Sequence, residues 1–308
     1  MPILAKMNNK LQRLESEFDE LLKNAPWVGH GGTPHIVDNA KGRQMKKYSD
    51  AYNERLRNKN REIEDQKEKI ENFSEFLSDT LLHGTKLQEN YFSSNIKADI
   101  FLSHSHKDRN LALTLAGWLK IEKSLSTFID SSIWGSHNEL KKAIDKIYSK
   151  MPNTATSYYY DKSNFVSTNI DIMLSNALSK MMDNCETVIF LNTNESIAQL
   201  PKNFNQDFTY SPWIYHELTN TQLLRRTIPK RIENKIKNKL VKQGESKLDE
   251  SVKDLNFVYE VTNLIDKMVE LNLDDLIQWS DNPSKKLESL DYLYDNKKII
   301  KLNNKLLY

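Results

Sequence analysis

The sequence predicts an α/β fold: a parallel sheet with helices on both faces, preceded by an N-terminal α-helical coiled-coil region. Three observations carry this expectation. After residue 93, short apolar runs such as Ala98–Ser103 and Thr187–Leu191 alternate with longer stretches of helical periodicity. That alternation joins parallel strands by crossover helices. Before residue 93 the apolar residues fall at heptad spacing in a highly charged background. The expected organisation is therefore a helical assembly region over 1–93 and an α/β domain with a C-terminal extension over 94–308.

In the first region, Leu4, Met7, Leu11, Leu14, Phe18 and Leu21 are spaced 3, 4, 3, 4, 3. This is the a/d seam of a coiled coil. Residues 25–35 hold three of the chain's 8 glycines and two of its 8 prolines and read as a loop. A second helical tract follows over 42–92, with Leu56, Ile63, Ile70 and Leu77 recurring every seven residues. The stripe is too narrow to bury much in one hairpin, which favours a partner chain. A hairpin packed on its own domain is the alternative. His30 and His35 stand in the loop without a thiolate or carboxylate, so no metal is expected.

The second region is read in chain order. Ala98–Ser103 is the first strand, buried and ending in a polar turn. Asp108 caps a helix through Lys120 whose inner face carries Leu111, Leu115, Trp118 and Leu119. Ser126–Asp130 is a second strand, Ser131–Ser136 a loop, and Asn138–Lys150 a helix. Met151–Ser167, with three consecutive tyrosines, is an irregular insertion. A helix starts at Thr168 or Asn169 and runs to Asp183. Thr187–Leu191 is the clearest buried strand. A loop leads to Ser211 and the helix beyond it. Leu255–Val261 is a fourth strand candidate, Asn263–Gln278 is helical, and Ile299–Leu302 is a possible edge strand.

Composition narrows the class. The 308 residues are 38% hydrophobic and 28% charged, with 44 basic against 42 acidic side chains and a net charge of +2. That balance supplies no basic footprint for nucleic acid or an anionic membrane. The start of the chain lacks a signal-peptide core, and no apolar run approaches the ~20 residues that span a bilayer. The expectation is a soluble cytoplasmic protein. The one cysteine, Cys185, precedes an apolar run and reads as a small core residue. No Gly-x-Gly-x-x-Gly or Walker loop is present, which argues against a dehydrogenase or an NTPase.

The candidate site starts from Trp213 and Glu217. On a helix, i and i+4 share a face, so the indole and the carboxylate point the same way. His216 points about 100° away from Glu217 and is set aside. Ser103, His104 and Trp134 belong to loops after the first two strands, at the sheet edge where open α/β folds bind ligands. Asp130 ends the second strand. Each also has a plainer use: Trp213 as core, His104 and His106 as partners of backbone groups, Asp130 as a turn cap.

Three segments occur in order across about residues 96 to 280: Asp99-Ile100-Phe101-Leu102-Ser103, Phe128-Ile129-Asp130, and Ser211-Pro212-Trp213 through Glu217. Together they resemble TIR domains, specifically the NAD-cleaving bacterial type found in antiphage, Thoeris-like proteins. The turn Ser103-His104-Ser105-His106 stands where many members carry tyrosine and arginine. The resemblance implies a flavodoxin-like sheet. It implies that Glu217, the glutamate of a WxxxE helix, is catalytic, and that Ser103, His104, Asp130, Trp134 and Trp213 contact the dinucleotide. NAD+ is then a substrate and no cofactor is expected. The products are nicotinamide with ADP-ribose or a cyclic isomer. The family further implies a homo-oligomer whose sites are completed by a neighbour's loop, here Ser131–Ser136. A phage trigger or a downstream effector of antiviral defence would be a further partner. Two other readings stand beside it: a non-enzymatic TIR scaffold that self-associates, and a nucleoside deoxyribosyltransferase-like enzyme.

Overall fold

The computed structural model describes residues 3–8, 77–78, 81–92, 97–129, 131–154, 156–198, 206–224 and 257–297, with backbone alone for 3–8, 77–78, 131–136 and residue 273. In chain order the elements are β1 (Ile3–Asn8), a small antiparallel pair β2 (Leu77–Ser78) and β3 (Leu81–Leu82), and α1 (Gly84–Tyr91). Then come β4 (Ile100–Ser103), α2 (Arg109–Lys123), β5 (Thr127–Ile129), α3 (Ser131–Ile144) and α4 (Tyr160–Asn184). After these follow β6 (Thr187–Asn192), β7 (Phe208–Thr209), α5 (Pro212–Leu223) and β8 (Tyr259–Glu260). The last are α6 (Thr262–Ile265), β9 (Val269–Leu271), α7 (Leu273–Asp281) and α8 (Lys286–Asn296).

The main sheet has the order β5-β4-β6-β1-β9, and every pairing in it is parallel. β5, β4 and β6 lie in register from Ile100 opposite Thr127 and Thr187. These strands are continuously apolar because both faces are covered. Side chains alternate along a strand. Ile100, Leu102, Ile129, Ile189 and Leu191 face one core with α2, α7 and α8, while Phe101, Phe128, Val188 and Phe190 face another with α1, α3, α4 and α5. The fold is thus a three-layer α/β arrangement, as the alternation of elements predicts.

Two polar side chains tie the C-terminal helices to the rest of the fold, one at the sheet and one at α2. Tyr294 on α8 is fully buried; its hydroxyl lies 2.6 Å from Thr187 Oγ1 and donates to Glu186 Oε1 at 2.9 Å. Lys123, at the end of α2, donates from its buried ammonium to the carbonyls of Ser280 and Asn282 at 3.2 and 2.6 Å. Burial lowers its pKa to about 8. Cys185 is buried in the second core, and burial, reinforced by Asp99, pushes its thiol up to about 12. It behaves as a small core residue.

Several elements differ from the sequence expectation. The backbone of Ser131–Ser136 is the first part of α3, not a loop. The helix placed at Thr168 begins at Tyr160, and its buried stripe already includes Val166. Among the described residues of the candidate Leu255–Val261, Tyr259–Glu260 is the strand, and it pairs antiparallel with β7 outside the main sheet. Phe257 and Val258 are exposed, whereas a central parallel strand must be buried on both faces. The expected helix over Asn263–Gln278 is broken by β9. Asn272 then opens α7 with a capping box, its side chain accepting from the Asp275 N–H while Asp275 accepts from its own. Leu4 and Met7, the first two seam positions, lie in β1, a strand between β6 and β9. Leu77, the last heptad position expected in a helix over 42–92, lies in the antiparallel pair β2–β3, and a helix covers Gly84–Tyr91. The seam from Leu11 to Leu21, the rest of that tract up to residue 76 and Ile299–Leu302 lie outside the described residues.

Removing the Tyr294 hydroxyl isolates one of these ties. Tyr294→Phe strips Thr187 and Glu186 of a partner next to the sheet and should cost about 1–3 kcal/mol, read as a lowered thermal midpoint. Tyr160→Phe, on the exposed aromatic surface, serves as the control and should melt like the parent.

Candidate functional site

β4 and β6 are adjacent in the sheet, but the chain leaves them in opposite directions. From β4 it passes through α2, on one face, to the outer neighbour β5; it then returns through α3 and α4, on the other face, to β6. The carboxyl ends of β4 and β6 therefore flank a topological switch point, where the loops diverge and leave a crevice. A cleft of about 750 Å³ occupies this place. Its walls include His104 and Lys107 after β4, Glu195 after β6, Asn138 of α3, and Tyr210 and Trp213 at the start of α5. That volume suits a ligand of nucleotide or dinucleotide size.

The turn after β4 is short and hydrogen-bonded. The Ser105 hydroxyl accepts from the Lys107 N–H, opening a 3-10 turn over His106–Asp108. Lys107 reaches across the cleft to Glu195, with 2.7 Å between ammonium and carboxylate. His104 is buried, and its Nδ1 lies 3.3 Å from the Leu102 carbonyl. Asp108 stands at the N-cap of α2, but its side chain makes no capping bond. It accepts instead from Thr193 Oγ1, at 2.5 Å. Burial raises the Asp108 pKa, opposed chiefly by that hydrogen bond and by the nearby His104.

The opposite wall is α5. Ser211 caps it by accepting from the Ile214 N–H at 3.2 Å, and Pro212 fills the first turn. Trp213 stands between two imidazoles, both edge-on at 6.2 Å between ring centres. One is His137 of α3, whose Nε2 is 2.7 Å from Asp171 of α4. The other is His216, held by Asn220 at 2.8 Å and by Ser175 and Ser179 of α4. Burial pushes His216 below its ordinary value, against a smaller pull from the Ser175 carbonyl. Glu217 is 1% exposed on the same helix, one turn beyond Trp213, and does not line the cleft.

The residues singled out from sequence separate as follows. Trp213 and His104 line the cleft. Ser103 is buried at the end of β4 and Glu217 is buried behind the wall. Asp130 and the side chain of Trp134 lie outside the described residues. Lys107, Asn138, Glu195 and Tyr210 were not anticipated. Glu195 and Tyr210 carry a readable signal, since they follow the strongest strand and precede the Ser-Pro helix start. Asn138 enters from a helix packed across the top, which nothing local announces. Among the described residues no group of three or more His, Cys, Asp or Glu side chains forms a metal site. None of the described helices is long and apolar enough to cross a membrane.

Comparison with known proteins adds nothing to this geometry: no family model matches the chain, and neither does any curated protein or solved structure.

The state of His216 has a measurable consequence. Its pKa is lower folded than unfolded, where the ordinary value is about 6.5. The unfolded chain then binds the proton more readily, so this contribution to stability is present above about pH 6.5 and is lost as pH falls through the folded pKa. His216→Gln should flatten that part of the profile. Thermal midpoints of parent and variant between pH 5 and 8 should converge toward the acid end; parallel profiles would contradict the assignment.

Proposed function

We propose that the chain is an NAD+ glycohydrolase or cyclase of TIR-like type, which releases nicotinamide from NAD+ in antiphage defence signalling. One observation carries this reading. The crevice at the switch point has an aromatic wall, Trp213, on the helix that also bears the buried carboxylate Glu217 four residues further on, about 6 Å along the axis. The resemblance of the strand and helix segments to NAD-cleaving TIR domains supports it.

The chemistry suits such a place. Nicotinamide in NAD+ is already a cationic leaving group on an anomeric carbon, so no general acid is required, unlike ordinary glycoside hydrolysis with its two carboxylates. The barrier lies in positive charge growing on the ribose, which a nearby carboxylate in a dry site stabilises. Glu217 takes that role and accepts hydrogen bonds from the ribose hydroxyls. Trp213 offers an aromatic face to the nicotinamide. Lys107, whose ammonium is paired with Glu195, is the cation beside the cleft that a diphosphate would engage, and His104 lines the wall. Contact with Glu217 requires the residues that cover it to part when substrate enters. Water or the adenine of the same molecule then takes the ribosyl cation, giving ADP-ribose or a cyclic isomer. A homo-oligomer assembled through the part of residues 1–93 outside β1 and α1 fits the same reading.

A second reading, a non-enzymatic module that works by self-association, is favoured by the burial of Glu217 outside the cleft lining. It draws further support from the exposed apolar and aromatic side chains Ile147, Tyr148, Tyr158, Tyr159, Tyr160 and Phe165.

Nicotinamide release from NAD+, followed by mass spectrometry, separates the two. The parent chain should release it. Glu217→Gln should lose about 10²- to 10³-fold in rate while remaining folded. Trp213→Ala should lower turnover more than stability; as a core residue it would instead cost about 3–5 kcal/mol. No release from the parent at any protein concentration, with association intact by light scattering, would favour the scaffold.

A further inference from the structure

Buried hydroxyls form a continuous chain from the turn after β4 to the start of α5. Asp108 lies beneath the cleft and does not line it. Its Oδ2 accepts from Thr193 Oγ1 at 2.5 Å, with Ser196 Oγ at 3.5 Å. The same Thr193 oxygen accepts from the N–H groups of Glu195 and Ser196, both at 3.2 Å, which folds the turn after β6. Ser196 Oγ donates to the Leu191 carbonyl at 2.8 Å and locks the turn onto its strand. The Ser196 carbonyl in turn accepts from Thr209 Oγ1 at 2.9 Å. Thr209 Oγ1 accepts from the Ser211 N–H at 3.2 Å, and Ser211 caps α5 through the Ile214 N–H. Asp108, Thr193, Ser196 and Thr209 are all buried.

These are short polar side chains inside an otherwise apolar fold. Each costs desolvation unless it is bonded; each is bonded, and the links run from Asp108 through Thr193 and the Ser196 backbone to Thr209. The first turn of α5 stands at the cleft rim, with Tyr210 exposed beside it and Ile214 buried in the core. We propose that this hydroxyl chain positions α5, so that Asp108 and Thr209 are positioning residues which set where Trp213 and Glu217 stand relative to the cleft. The inference rests on the catalytic reading of Glu217, and its structural half is measurable without it.

The test uses the full chain with Thr209→Val and Thr193→Val, which keep shape and remove the hydroxyl, and with Thr209→Ser and Thr193→Ser, which retain it. Two quantities are read: amide hydrogen exchange at Ser211 and Ile214, and NAD+ cleavage resolved into kcat and KM. The valine variants should exchange those amides at least about tenfold faster. They should lose roughly ten- to a hundredfold in kcat, as misplacement of reacting groups by about an ångström does, with KM nearly unchanged. The serine variants should restore both. Thr209→Val decides alone if Thr193→Val does not fold. Unchanged exchange in Thr209→Val, or serine variants that behave like the valines, would overturn the proposal. Faster exchange with serine rescue, in a protein whose parent releases no nicotinamide, would uphold the chain of hydroxyls and sink the NAD+ reading instead.

Discussion

The parallel pairing of β4 with β6 is the contact on which the molecule turns. Ile100 to Ser103 lie in register against Thr187 to Phe190, and both strands are buried on two faces. Once they are paired, the connections must diverge, because α2 leads to β5 on one side while α3 and α4 cover the other. Divergence leaves the carboxyl ends of two neighbouring strands without a covering helix between them. The cleft follows from topology before any side chain is chosen. The side chains then decide what it accepts.

Burial on both faces also explains how much of the fold was legible. Ile100-Phe101-Leu102 and Val188-Ile189-Phe190-Leu191 are uninterrupted apolar runs of strand length, so β4 and β6 were readable with their order. The helix of α2 was readable from its periodic apolar face. What was lost were elements whose cause is not local. β9 is three residues long, Val269–Leu271, and sits between two helical patterns. Its strand state comes from a place beside β1 in the sheet, a long-range pairing that no window of sequence reports. Phe257 and Val258 look like strand residues by type and are exposed. β-propensity marks a residue that fits a half-buried pleated surface and does not say which sheet will supply it. Leu4 and Met7 match a heptad seam, but two seam positions are too short a span to fix a helix, and sheet pairing wins there.

The site was legible in the same partial way. The spacing of Trp213 and Glu217 placed them on one face of α5, and the Ser-Pro start of that helix was visible in the sequence. How deeply Glu217 would be buried was not visible, because burial depends on helices packed from elsewhere. Asp108 looked like a cap from its position before a helix. Its carboxylate turns away from the helix because Thr193 offers a closer donor from the turn after β6, eighty-five residues further along the chain. The two imidazoles around Trp213 show the same principle: His216 lies three residues away, while His137 arrives from α3. Contacts within one element are readable from spacing, and contacts between elements are not.

The proposed reaction requires a nicotinamide dinucleotide in the crevice between the ends of β4 and β6 with its ribose against Glu217. A crystal structure of the chain with a non-cleavable carba-analogue of NAD+ tests this most directly. The account predicts the nicotinamide against Trp213, the diphosphate near Lys107, and the Glu217 carboxylate within hydrogen-bonding distance of the ribose hydroxyls. An analogue bound elsewhere, or a crevice left empty at millimolar analogue while Glu217 stays covered, would contradict it.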